Sequence, residues 1–129
     1  MLKLTYTENG FYLERLAQSV EEWVSTRVLL ALRAGTSLYV EPSTASFLLP
    51  ADLPQLVRFE TVVEQENPDA VTLSLCDADC VEISLNGTWL VSDPESEEGI
   101  FTCTMSDRAE FYLFKLWEKA QIEASVIQE

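Results

Sequence analysis

The sequence contains no histidine. That absence removes Ser-His-Asp and Cys-His nucleophile systems, together with the commonest metal ligand. Only four glycines occur, each explained by a turn, a helix end or an acidic loop, so no phosphate-cradling loop of the P-loop or dinucleotide type is available. Three cysteines, Cys76, Cys80 and Cys103, are few and odd in number, which fits reduced thiols better than a disulfide framework. Zinc sites use tighter Cys pairs with two further Cys or His ligands, so Cys76 and Cys80, with Asp77 and Asp79 between them, are expected to close a hairpin and bind no metal. No cofactor is expected. No apolar run reaches the length of a membrane span, and residues 1–6 carry none of signal-peptide length, which leads to the expectation of a cytoplasmic protein.

Positive charge is also scarce. Eight Lys and Arg face 22 Asp and Glu, a net charge of −14, with an isoelectric point near 4.2. Nucleic-acid phosphate and anionic membrane would both be repelled, so neither is an expected partner. The imbalance is uneven: residues 1–56 hold six acids and four bases, residues 57–129 sixteen acids and four bases.

The 129 residues, 47% hydrophobic and 10% aromatic, suffice for one folded domain spanning 1–129. Residues 2–8 and 11–16 alternate around Asn9-Gly10, which predicts a hairpin whose type I′ register pairs Glu8 with Phe11, Tyr6 with Leu13 and Leu4 with Arg15. Ser19 and Glu22 have capping-box spacing, and Gly35 can take the left-handed position after a helix over 20–34. Val20, Trp23, Val24, Val28, Leu30 and Ala31 make its apolar face. Residues 37–41 read as a strand closed by Pro42, and 46–49 as a second, short one.

Residues 57–105 read as a strand meander. Period two over 57–64 puts Val57, Phe59, Thr61 and Val63 on one face, and Glu66-Asn67-Pro68-Asp69 breaks it. A three-residue loop at 77–79 sets Leu75 opposite Val81, Leu73 opposite Ile83 and Val71 opposite Leu85. Asn86-Gly87 is the dipeptide of a type I′ turn, which makes 88–91 and 100–105 two further strands. A last helix starts at Ser106-Asp107, with Asp107 and Glu110 at capping-box spacing, and Ala109, Tyr112, Leu113, Leu116, Trp117, Ala120 and Ala124 as its core stripe. The architecture expected is α+β, a curved antiparallel sheet of N-terminal hairpin plus meander packed against two helices.

Three sets of residues are candidate sites. In a meander alternate loops share an end, so Asp77 and Asp79 are expected beside Asp93, Glu95, Glu97 and Glu98, a partner-binding acidic end. Phe111, Phe114 and Ile122 lie opposite the core stripe of the last helix, where either other segments cover them or a homodimer forms. Arg27 falls within the apolar face of the first helix, as a snorkelling stem or as part of a cleft walled by Trp23, Trp89 and Trp117. The function expected is a non-enzymatic protein-interaction module, an adaptor or small chaperone-like protein presenting an acidic surface to a basic protein. The alternatives are a binder of a small apolar ligand between sheet and C-terminal helix, and a carboxylate-dependent enzyme.

Overall fold

The computed structural model describes residues 1–66 and 70–128, with the backbone alone at residues 66 and 121–128. Among the described residues the elements are β1 (Leu2–Thr7), β2 (Gly10–Arg15), α1 (Val20–Arg33), β3 (Tyr39–Pro50), α2 (Leu56–Glu66), β4 (Val71–Leu75), β5 (Cys80–Val91), β6 (Gly99–Cys103) and α3 (Asp107–Gln128). The class is α+β: the strands form one open antiparallel sheet in the order β2-β1-β6-β5-β3, with β4 also paired to β5. Three helices occur where the sequence suggests two. The chain divides into two compact units, one of residues 1–45 and 86–104, the other of 46–85 and 105–129.

In the first unit β1 lies between β2 and β6, so residues 2–6 each have two cross-strand neighbours: Leu4 faces Leu13 and Phe101, and Tyr6 faces Phe11 and Gly99. The expected hairpin forms, but two residues out of the expected register. Thr7 pairs with Gly10, the loop is Glu8-Asn9, and Gly10 has φ of +123°. A slip of two keeps every side chain on its face, so Leu2, Leu4, Tyr6, Phe11 and Leu13 still share one. The Tyr6 and Phe11 rings stack with centroids 5.6 Å apart, and the Trp89 ring meets Tyr6 edge-on at 5.6 Å.

Burial first, and the nearby Cys103 thiol second, hold the Tyr6 phenol above its ordinary pKa of 10.0. As pH rises past about 10, the unfolded chain releases this proton while the native protein keeps it. Stability therefore falls with alkalinity from there up to the native pKa. Tyr6→Phe is expected to flatten that alkaline limb in urea melts taken at a series of pH values, with no effect at pH 7.

Helix α1 begins as its sequence suggests. The Ser19 hydroxyl accepts from the Glu22 amide at 3.2 Å, and Gly35, at φ +70°, lets the Thr36 amide return to the Ala31 carbonyl at 2.9 Å. Its packing does not follow the expected broad face, because Trp23 is its one buried residue.

The second unit contains the largest departure from the sequence reading. Residues 56–66 are helix α2, not a strand. Leu56, Phe59, Val62 and Val63 are buried at helical spacing, whereas Val57, expected on the face of Phe59, is 71% exposed. Helix α2 packs on α3 and on β4. The break at Asn67-Pro68-Asp69 lies outside the described residues. The β4–β5 hairpin has the register expected of it, Val71 with Leu85, Leu73 with Ile83 and Leu75 with Val81, although Leu75 ends up exposed. Helix α3 is capped by Ser106, whose hydroxyl accepts from the Ala109 amide at 3.1 Å. With Ser106 rather than Asp107 as the cap, Glu110 falls one position too late for a capping box, and its side chain is buried near the positive end of the helix.

Two further strands differ from expectation for reasons of sheet position. Residues 39–50 form one strand through Pro42, tolerated because β3 is the edge of the sheet, where a missing amide donor costs no ladder bond. Residues 80–91 likewise run straight through Asn86-Gly87 with no turn. On one side β5 pairs with β4 up to Leu85 and with β6 from Thr88 onward. Gly87 sits at that change of partner at negative φ. A Cβ there would meet the Thr102 carbonyl, with the Phe101 ring at 2.7 Å and the Cys103 Cβ at 2.9 Å. Its glycine serves backbone approach, not turn geometry.

Candidate functional site

The acidic residues singled out from the sequence occupy two tight loops. In the loop leading into β5, the Asp77 carboxylate accepts from the amides of Asp79 (2.7 Å) and Cys80 (3.0 Å). This Asx turn satisfies the loop's own donors and leaves the exposed side chain of Asp79 directed to solvent. In the loop leaving β5, Asp93 accepts from the Glu95 amide (3.0 Å), Ser96 Oγ accepts from the Glu98 amide (3.2 Å), and Glu98 Oε1 accepts from the Glu8 amide (2.9 Å). Asp93, Glu95, Glu97 and Glu98 are all exposed. Because β5 is one strand, one of these loops enters it and the other leaves it twelve residues later. The meander argument for a shared end therefore fails, since it needed a turn at Asn86-Gly87.

Cys76 and Cys80 flank the first loop, joined by the Cys76 amide to the Cys80 carbonyl at 3.2 Å. The Cys76 thiol lies 3.6 Å from Glu82 Oε2. Partial desolvation and then Glu82, through its hydrogen bond and its charge, push this thiol above its ordinary range, with Asp77 and Cys80 adding less. Since Cys76 is exposed, the carboxylates are the cause that chemistry can alter, and they make it a poor nucleophile despite its access. Glu82 also accepts from Ser84 Oγ at 3.2 Å, and Ser84 meets Ser46 at 2.8 Å, so the outer face of this part of the sheet is a run of mutually bonded polar groups. Among the described residues no three His, Cys, Asp or Glu side chains are grouped to hold a metal.

The candidate cleft residues are not assembled as the sequence suggests. Trp23 is 3% exposed, with the Arg27 guanidinium 4.7 Å and the Lys3 ammonium 5.4 Å from its ring. Arg27 thus stacks on Trp23 with its charge at the surface. Trp23 meets Lys3, whereas Trp89 meets Tyr6, an odd number of residues along β1, so the two indoles stand on opposite faces of the sheet. Trp117 belongs to the other unit, edge-on to Phe47 at 5.7 Å.

On α3, Phe111 is exposed with the Lys115 ammonium 4.6 Å over its ring, and Phe114 is half-buried. The side chain of Ile122 lies outside the described residues. Exposed apolar side chains concentrate elsewhere, at Leu29, Leu30, Leu32, Tyr39 and Val40. Here Val28, Ala31 and Leu32 of α1 face residues 36–39 across an open groove of about 340 Å³. The sequence reading missed this surface by treating the apolar content of α1 as core-facing.

Fold and surface together define an α+β protein whose distinctive features are acidic loops and an apolar helix face. A family model described as Alr0857-like matches residues 1–121, and the chain belongs to that family. No curated protein and no solved structure matches the chain significantly. No helix among the described residues is long and apolar enough to cross a membrane.

Proposed function

We propose that the protein is a non-enzymatic interaction module, an adaptor that presents its acidic loops to a basic protein partner in the cytoplasm. One observation carries this reading: the loop amides are satisfied within the loops by Asp77, Asp93 and Ser96, so the neighbouring carboxylates are held outward on fixed backbone. Pre-set charges of one sign steer an oppositely charged partner and lose less entropy on contact than charges on mobile loops. The net charge of −14 favours a basic partner over nucleic acid or an anionic membrane. Cytoplasmic residence is supported by the three free cysteines.

The test compares wild type with a six-site variant, Asp77→Asn, Asp79→Asn, Asp93→Asn, Glu95→Gln, Glu97→Gln and Glu98→Gln, which keeps the amide-accepting oxygens while removing the charge. Partners that co-purify with wild type are expected to be basic, to elute with salt and to be lost from the variant. Equal retention of the same partners by a folded variant contradicts the proposal.

A further inference from the structure

Helix α1 is apolar on almost every side, with Val20, Trp23, Val24, Val28, Leu29, Leu30, Ala31 and Leu32 among its fourteen residues, yet it buries only Trp23. A helix apolar all round is normally covered on all sides. At 100° per residue Leu29 stands opposite Val20, and Glu22, Ser25, Thr26, Leu32 and Arg33 fall within about 60° of it, forming an outward stripe. Leu29 is 55% exposed and Leu32 is 69% exposed. The Thr26 hydroxyl donates back to the Glu22 carbonyl at 2.8 Å, so its hydrogen-bonding need is met inside the helix and contact on its outer side costs little desolvation.

We propose that this stripe is the contact between two copies of the chain, with their α1 helices antiparallel about a two-fold axis. Charge selects both the occupant and the direction. The stripe begins at Glu22 and ends at Arg33. An antiparallel pair therefore sets each Glu22 beside the other copy's Arg33, whereas a parallel pair sets like against like.

Leu29 falls near the axis, and the small Ser25 and Thr26 around it allow close approach. The helix belongs to the compact unit of residues 1–45 and 86–104, which holds nine acids and four bases against thirteen acids and four bases in the other unit, so a second copy meets less repulsion here. A fourteen-residue helix spans about 21 Å, a contact at the small end of specific interfaces, so the dimer depends on concentration. This inference is independent of the acidic-loop proposal. If both hold, pairing doubles the acidic loops offered to one partner.

Sedimentation equilibrium of the full chain over a wide concentration range tests it. Wild type is expected to rise from the 14.6 kDa chain mass toward twice that value. Leu29→Glu, at an exposed position, is expected to stay monomeric with unchanged circular dichroism. Glu22→Arg and Arg33→Glu are each expected to weaken the dimer roughly tenfold, and the double swap to restore it. A wild type that stays monomeric at the highest concentration overturns the proposal. So does a dimer that survives Leu29→Glu but is lost with Phe111→Glu, or a folded double swap that does not recover.

Discussion

Gly87→Ala is expected to destabilise the protein by about 3 kcal/mol, at the upper end of what overpacking usually costs. The added methyl must displace the Thr102 carbonyl and the Phe101 and Cys103 side chains, all three of which lie within 3 Å of the new atom. Phe101 and Cys103 are themselves buried, so neither can swing aside. Gly10→Ala separates crowding from backbone strain: at φ +123° it meets nothing within 4 Å, so its cost is strain alone, about 1–2 kcal/mol. Urea denaturation of the two variants gives the comparison. A smaller loss at Gly87 than at Gly10 would mean that β6 does not approach β5 as described.

Phe59→Ala is expected to cost about 3–5 kcal/mol, since this ring is fully buried on α2 and its removal leaves a cavity. The neighbouring valines make the result specific to a helix. Val62 is 2% exposed, and Val62→Ala is expected to cost about 2 kcal/mol, whereas Val57→Ala should change stability by no more than about 0.5 kcal/mol. A strand at this position predicts the opposite order, with Val57 beside Phe59 in the core and Val62 on the solvent side. Guanidinium melts of the three variants distinguish the two.

Residues 56–66 show why that segment was misread. Val57, Phe59, Thr61 and Val63 do alternate with Arg58, Glu60 and Glu64, but Leu56, Phe59, Val62 and Val63 also stand at helical spacing in the same stretch. A short segment that fits both periods is decided by what it packs against, here α3 and β4. Local capping chemistry was legible at Ser19, because the hydroxyl that caps α1 needs only its own next turn. The loop at 77–79 was legible because its register followed from matching apolar residues across two strands.

Asn86-Gly87 was not legible, because the same two residues that favour a turn also suit a strand that another backbone must approach closely, and nothing nearby in the sequence distinguishes these uses. For the candidate site, each acidic loop was visible as charge beside turn residues. Their arrangement was not, since it depended on that one misread turn. The exposed face of α1 was hidden for another reason: apolar residues at helical spacing predict burial of a face, but not whether this chain or a second one supplies the cover.

The placement of both acidic loops depends on β5 running unbroken from Cys80 to Val91. Amide hydrogen exchange followed residue by residue tests this directly. The Ala51 amide donates to the Asp79 carbonyl and the Cys76 amide to the Cys80 carbonyl. Counting along β5 in steps of two, odd-numbered amides face β3, so Gly87 is expected to exchange as slowly as Ile83 and Trp89. Fast exchange at Gly87, with protection resuming only at Trp89, would show a turn there and contradict the unbroken strand that separates the two acidic loops along the chain.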